Sequence, residues 1–196
     1  CNIFIGESGK YVTTGSHNIG MGKLSGGSAV TATGTYNVSF GFNAGCCLTS
    51  GSSNISIGKD AGQQHKTGSD NIFMGRFSGC ATNSGDYNVA LGANTLIGTG
   101  NKACNVAAGR FAGCALTSGC SNVFLGYGAG QNTSSGTCNV AIGSQAGKCL
   151  ETTGSGADVN VFIGHYAGRG VTCGGHNIYI GDVSGGLSSS KTGDYN

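Results

Sequence analysis

Residues 122–138 read NVFLGYGAGQNTSSGTC, and residues 139–147 continue as NVAIGSQAG, almost the same phrase again. The phrase opens with a tetrad of Asn, Ile or Val, any residue and an apolar residue, and Gly closes it. Eleven complete copies occur in the 196-residue chain, and every copy has Gly four residues after its Asn. The repeated asparagines are Asn2, Asn18, Asn37, Asn54, Asn71, Asn88, Asn105, Asn122, Asn139, Asn160 and Asn177. Such regularity predicts a solenoid in which each unit stacks on the next.

The tetrads lie 17 residues apart through the middle of the chain, and 16, 19 or 21 apart where residues are deleted or inserted. Apolar residues alternate within each tetrad and Gly marks the corners, which is typical of short strands. We therefore predict one all-β domain over residues 1–196. It is a parallel β-solenoid, or β-roll, of about eleven 17-residue coils stacked about 4.8 Å apart. Each coil is expected to have two short strands, and the ends are expected to be uncapped.

The alternation also predicts which side chains fill the core. Val123 and Leu125 are expected to face inward and Phe124 outward, with small residues such as Ala129 completing a thin core. The outward row would then carry an aromatic residue in five coils. These residues are Phe4, Phe73, Phe124, Phe162 and Tyr179. They are either scattered surface aromatics or a discontinuous stripe that packs against another chain.

The recurrent Asn predicts a ladder. Stacked Asn side chains hydrogen-bond amide to amide along the axis, and Asn tolerates left-handed corner geometry. Asn37 and Asn54 match the N-glycosylation pattern, but their ladder positions make them inaccessible. Asn132, in a loop, is the glycosylation candidate.

Insertions fall between the [Ala/Ser]-Gly step of one coil and the next Asn, near residues 28–35, 150–159 and 187–194. The loops at 28–35 and 150–159 are expected to be the most mobile and exposed segments. The coil near residues 88–104 is expected to be irregular, because Thr95-Leu96 replaces the usual [Ala/Ser]-Gly.

Ten cysteines, an even number without a CxxC pair, predict disulfides and an oxidising compartment rather than zinc binding. The candidates are Cys1, Cys46, Cys47, Cys80, Cys104, Cys114, Cys120, Cys138, Cys149 and Cys173. Adjacent Cys46 and Cys47 are not expected to bond to each other. Like-positioned cysteines two coils apart, such as Cys80 and Cys114, would be about 9.6 Å apart and out of reach. Cys104 with Cys120 is the first choice within the chain, and Cys1 is a candidate for a junction between subunits.

Composition excludes several classes of function. The chain has 40 Gly, no Pro and only 9% charged residues, and its net charge of +2 is not clustered, so no nucleic acid is expected as partner. No apolar run is long enough for membrane insertion. The eight carboxylates and four histidines are scattered, and no Asp recurs as in calcium-binding rolls. No enzymatic activity, metal or cofactor is predicted.

The phrases NVAIGSQAG (139–147) and TTGS (152–155) resemble the head repeats of trimeric autotransporter adhesins and, more closely, repeats of phage tail-fibre-like proteins. GANTL (92–96) resembles a variant of the latter. This resemblance implies an extracellular or surface-displayed location, secreted or on a virion, and an elongated, often trimeric shaft or adhesive head. The ten cysteines are foreign to both patterns.

The leading functional hypothesis is a structural subunit or shaft segment of an extracellular fibre. Both ends of the chain are in mid-pattern, so copies are expected to stack head-to-tail or laterally, with disulfide reinforcement. The main alternative is an adhesin or tail fibre that binds a receptor or surface glycans through its loops. Ice binding through a Thr face ranks last, because that position varies to Lys66, Asn83, Ser118 and Ser134.

Overall fold

A computed structural model describes residues 1–27, 32–150, 158–172 and 174–186 of the chain. Eleven three-residue strands follow the ladder asparagines. They are β1 (Ile3–Ile5), β2 (Ile19–Met21), β3 (Val38–Phe40), β4 (Ile55–Ile57), β5 (Ile72–Met74), β6 (Val89–Leu91), β7 (Val106–Ala108), β8 (Val123–Leu125), β9 (Val140–Ile142), β10 (Val161–Ile163) and β11 (Ile178–Ile180). They form a single parallel sheet in sequence order, and the described residues contain no helix. The predicted all-β parallel solenoid is confirmed.

Register shows that one repeat unit makes one coil. Val89 of β6 pairs with Val106 of β7, which in turn pairs with Val123 of β8. The prediction of two strands per coil is wrong, because each coil contributes one strand to the sheet. Elsewhere among the described residues the opposite wall has two isolated bridges, Val12 with Ala32 and Thr82 with Gly100. That wall is made of tight turns around Gly and left-handed residues, which interrupt regular strand geometry.

The invariant Gly at the end of each strand allows the coils to approach one another. Gly109 has φ +125°, and a Cβ added there would lie 2.5 Å from the carbonyl oxygen of Gly126 in the next coil. Any side chain at this corner would therefore strain the backbone and push neighbouring coils apart.

The predicted inside and outside of the strands are reversed in the structure. The central residue of each strand points into the solenoid, so Phe124 is fully buried, whereas Val123 and Leu125 are only partly buried. The reason is spatial, because the Phe124 ring occupies room opened by Gly130. A Cβ at Gly130 would lie 2.4 Å from that ring. Ala129, from the opposite wall, is buried beside it as predicted.

From β1 to β10, one to three small strand centres separate each aromatic strand centre from the next along the axis. Buried Phe73 lies between the small residues Ser56 and Ala90 of the adjacent strands, and Phe124 lies between Ala107 and Ala141. Each ring therefore extends over the small residues of its neighbours, as close packing requires.

The coil at residues 88–104 fills its interior with different side chains from those of its neighbours. Its strand centre is the small Ala90, and Leu96, fully buried with φ 49°, occupies the position that is Gly in the neighbouring coils. The stem of fully buried Lys102 also enters the interior. This coil differs from its neighbours at the step that the sequence marks, where Thr95-Leu96 replaces [Ala/Ser]-Gly.

Of the two loops predicted to be mobile, residues 28–31 and 151–157 lie outside the described part of the chain, as do the insertion at 187–194 and Cys173.

Candidate functional site

The eleven ladder asparagines form a continuous hydrogen-bonded column beside the strands. The Oδ1 of Asn88 accepts bonds from the backbone N–H of Asn105 at 3.1 Å and from its Nδ2 at 3.1 Å. The Oδ1 of Asn105 accepts the same pair from Asn122, both at 3.0 Å. Asn105 Nδ2 also donates to the carbonyl of Gly119 at 3.0 Å. Each inner Asn thus joins its strand entry to the preceding coil and to the turn of its own coil.

The ladder side chains are buried in the solenoid. All the ladder asparagines except Asn2, which lies in the first coil, are buried. The left-handed residue at this corner is the one before each Asn, such as Tyr87 or Cys104, both with φ 58°, rather than the Asn itself as expected. The ladder is therefore part of the scaffold, and an inner asparagine offers no accessible amide to a ligand.

The predicted interchain aromatic stripe is wrong, because its members belong to the interior. Phe73, Phe124 and Phe162 are fully buried, and Phe162 stacks on Tyr179 with ring centroids 5.7 Å apart. Phe4 and Tyr179 are partly exposed, and they lie in the first and last described strands.

The outward face of the sheet is apolar throughout. It consists of two rows, formed by the first and third residues of every strand. The first row is Ile3, Ile19, Val38, Ile55, Ile72, Val89, Val106, Val123, Val140, Val161 and Ile178. The second row is Ile5, Met21, Phe40, Ile57, Met74, Leu91, Ala108, Leu125, Ile142, Ile163 and Ile180. We call these two rows the apolar face.

The apolar face is large and accessible for a single chain. Met74 is 40% exposed and Leu91 is 39% exposed in the middle of the sheet. Eleven strands about 4.8 Å apart, each about 10 Å long, give a flat footprint of roughly 500 Å². That area equals the largest apolar patch of a typical monomer, and such patches usually mark interaction sites.

The described cysteines lie on two edges of the solenoid, away from the apolar face and from the strand centres. One edge follows the [Ala/Ser]-Gly step and carries Cys46, Cys47, Cys80, Cys114 and Cys149. The other edge lies just before the ladder and carries Cys1, Cys104, Cys120 and Cys138, all exposed. No disulfide forms among these nine cysteines, so the predicted Cys104–Cys120 bond is not present in the structure.

Lys102 is a buried cation near two of these thiols. Its ammonium donates to the carbonyl of Leu116 at 3.1 Å and to that of Gly98. Burial lowers the pKa of Lys102 to about 8, and nearby Cys80 and Cys114 partly oppose that effect. The two carbonyls provide the partners that a buried ammonium needs, so a structural role accounts for Lys102.

His65 is a second buried titratable group that the sequence reasoning did not single out. Its Nδ1 lies 3.1 Å from the carbonyl of Thr82, and its Nε2 lies 2.9 Å from that of Gly68. Burial lowers the pKa of His65, although both carbonyl contacts act in the opposite direction. Neighbouring coils have Leu48 or Thr82 at the same position, which identifies His65 as a core residue.

The glycosylation candidates differ in access. Asn37 and Asn54 are buried in the ladder. Asn132 is partly exposed and lies in a turn, where its backbone N–H donates to the carbonyl of Lys148 at 2.8 Å. Glycosylation at Asn132 stays a prediction.

Within residues 1–27, 32–150, 158–172 and 174–186, no group of three or more His, Cys, Asp or Glu side chains is placed to hold a metal ion. The same residues include no helix with the length and apolarity to cross a membrane. Comparison with known proteins finds no matching family model, curated protein or solved structure.

Proposed function

We propose that the protein is a structural subunit or shaft segment of an extracellular fibre, built by association of copies of the chain. The observation that carries this proposal is the apolar face. All 22 of its side chains are apolar, in a chain whose residues are only 38% hydrophobic. Parallel sheets are almost always covered on both faces, and here the described residues cover only the inner one.

Area and charge favour a second copy as the cover. Two such faces packed together would bury roughly 1,000 Å², which is the lower bound of a specific interface. The two rows contain no charged or polar side chain that would need a complementary partner. Their straight, regular spacing matches an identical array best, and a third copy could share the same axis, as in the trimers implied by the sequence resemblance.

The cysteine edges support the extracellular part of the proposal. Ten cysteine residues in a chain of 196 are typical of an oxidising compartment. Four of the described cysteines are exposed along a single edge. Disulfides between copies would reinforce a fibre without altering the packed core. No catalytic activity is part of this proposal.

The test is assembly of the purified chain, followed by electron microscopy and sedimentation velocity. The wild type is expected to form oligomers or fibres. The double variant Leu125→Lys with Ile142→Lys is expected to stay a single rod, because it places two adjacent charges within the apolar face. Ser118→Lys, on an exposed turn outside the face, is the matched control and should assemble like the wild type.

Circular dichroism must show the same β signal in all three proteins, so that failure to assemble is separate from failure to fold. Assembly of the double variant at the wild-type level would contradict the proposal.

A receptor- or glycan-binding adhesin is the second candidate. It is favoured by Tyr36 and Tyr87, each 61% exposed, which lie on the edge that precedes the ladder. Exposed tyrosines offer a flat apolar body with a polar tip and are enriched at recognition surfaces. Loss of glycan-array or cell binding in Tyr36→Ala and Tyr87→Ala, with assembly unchanged, would favour this function.

A further inference from the structure

Cys46 and Cys47 form a close thiol pair in the turn that follows β3. Their sulfur atoms are 3.6 Å apart. Cys46 is 6% exposed, whereas Cys47 is partly exposed and reaches the surface. The backbone N–H of Cys47 donates to the carbonyl of Gln63 at 3.1 Å, which fixes the pair against the next coil.

The environment of the pair favours an ionised Cys47. Cys46 carries one thiol proton and has two acceptors in reach, the Gln63 carbonyl at 3.4 Å and the Cys47 sulfur. Hydrogen bonding from Cys46 lowers the pKa of Cys47 to about 6, burial opposes this, and Lys66 of the next coil adds to the lowering. At neutral pH the outer sulfur of the pair is therefore mainly a thiolate, which is the nucleophilic form.

The same geometry disfavours a disulfide between Cys46 and Cys47. Consecutive Cα atoms are about 3.8 Å apart across a trans peptide, whereas disulfides usually span about 4.4–6.8 Å, so a bond between these neighbours would be strained and easily reduced. In an exchange centre of the usual kind, the second thiol displaces the partner after the first has attacked. Here the second thiol activates the first, and the strain of a bond between neighbours disfavours displacement of the partner.

We propose that Cys47 is a thiol–disulfide exchange site that holds a disulfide-bearing partner as a lasting mixed disulfide. The Cys47 thiolate attacks one sulfur of the partner's disulfide, and a new S–S bond forms as the old one breaks. The other sulfur leaves as a thiolate and takes up a proton from water. The partner's disulfide is itself the oxidant, so no further reagent is needed.

Cys149 provides an internal comparison within the same molecule. It lies ten residues after Asn139, as Cys47 lies ten residues after Asn37, and both are partly exposed. Lys148 precedes it in place of Cys46. The two thiols therefore share a place in the fold and differ in their immediate neighbour.

The experiment treats the intact, reduced protein with oxidised glutathione and follows glutathione adducts at each cysteine by peptide mass spectrometry. For each cysteine, the ratio of its adduct-formation rates at two pH values is compared, because this ratio does not depend on how accessible the thiol is to glutathione. Between about pH 8 and about pH 6, a thiolate with a pKa near 6 loses roughly half of its rate, whereas a thiol at the reference value of about 8.5 loses roughly eightyfold. We expect about a twofold loss at Cys47, far less than that of a thiol at the reference value, and Cys149 serves as the comparison for solvent access.

Variant Cys46→Ala removes the activating thiol and is expected to make the loss at Cys47 much steeper than twofold, while the loss at Cys149 stays as in the wild type. In the wild type, the Cys47 adduct is expected to persist without conversion to a Cys46–Cys47 disulfide. An equal loss at Cys47 in the wild type and in Cys46→Ala, or release of glutathione with formation of that disulfide, would overturn the proposal.

A second arm identifies the source of the partner. Protein whose Cys47 already carries the glutathione mixed disulfide is freed of excess glutathione and incubated anaerobically with reduced protein, so that the second copy bears the disulfide to be attacked. The mixture is analysed on non-reducing gels, and any dimer is mapped. A dimer linked through Cys47 supports the site with a second copy as partner. Adducts that form only with glutathione support it with a small disulfide as partner. If Cys47 forms neither product, the site does not exist. This result is independent of the apolar face, so it leaves the proposed fibre function untouched.

Discussion

Phe124 lies at the centre of β8 with no exposed surface, and its ring contacts the turn at Gly130 in its own coil. Phe124→Ala is expected to lower the free energy of unfolding by about 3–5 kcal/mol, because a narrow core cannot collapse around the cavity. Val123→Ala, one residue away on the outward face, should cost less than about 1.5 kcal/mol. Denaturant unfolding under conditions that keep the chain monomeric measures both. Equal costs would mean that the facing of the strand has been misassigned.

The burial of His65 makes stability depend on pH. Its folded pKa lies below the ordinary value, so the unfolded chain binds more protons than the folded chain as the pH falls through about 6.5. Stability that is present above that pH is therefore lost below it. Asp86 and Lys102 are the charged groups that act on the ring, in opposite directions.

His65→Leu is expected to reduce this acid sensitivity, because Leu48 and Leu116 occupy the same position in other coils. The difference in unfolding free energy between the variant and the wild type should grow from about pH 7 to about pH 5. A difference that stays constant over this range would show that His65 does not titrate differently on folding.

At the scale of the coil, the Asn ladder links the strand entries of successive coils. Asn105→Ala removes the acceptor of two N–H bonds from buried Asn122 and the donor to Gly119. We expect a loss of about 2–5 kcal/mol, since each buried group left unpaired costs about 1–3 kcal/mol. Asn2→Ala is the control, because Asn2 is exposed and water can replace its bonds.

Thermal or denaturant unfolding of Asn105→Ala and Asn2→Ala, side by side with the wild type, measures the loss of stability in each variant. Similar costs at Asn105 and Asn2 would contradict a role for burial in the ladder.

Strand positions and their one-coil spacing could be predicted from the sequence, because the tetrad and its closing Gly recur without exception. The facing of each strand could not. A three-residue strand such as Val123–Leu125 is apolar on both faces, so alternation alone does not choose between them. Invariant Ile and Val were interpreted as core, yet the true core position varies from Gly20 to Phe124 because neighbouring coils compensate in volume.

One signal of the correct facing was present in the coil that departs from the pattern. Leu96 replaces Gly there, next to the small strand centre Ala90, which is the compensation expected of two residues that share one interior. The vicinal thiol pair was visible in the sequence, but its asymmetry was not. That asymmetry depends on Cys46 being buried while Cys47 reaches the surface.

At the scale of the whole molecule, an assembly driven by the apolar face has a distinct thermodynamic signature. Association is expected to strengthen on warming between about 5 and about 30 °C, because hydrophobic burial weakens in the cold. Sodium chloride should have little effect, since no charges are paired across the face, whereas sulfate should promote assembly. Sedimentation velocity at these temperatures and salt concentrations measures the extent of association. Dissociation by moderate sodium chloride would indicate an electrostatic interface instead.

The coil register also bears on how such a molecule changes in evolution. Because each strand pairs only with the strands one unit before and after it, as Val106 does with Val89 and Val123, a duplicated or deleted stretch of seventeen codons leaves the pairing pattern of the remaining strands unchanged. The rod would grow or shorten by about 4.8 Å per event while keeping its cross-section and both of its edges. The number of coils is thus the property that slippage during DNA replication can alter most freely. Proteins that descend from one ancestral gene are expected to differ in rod length before they differ in the residues of their surfaces.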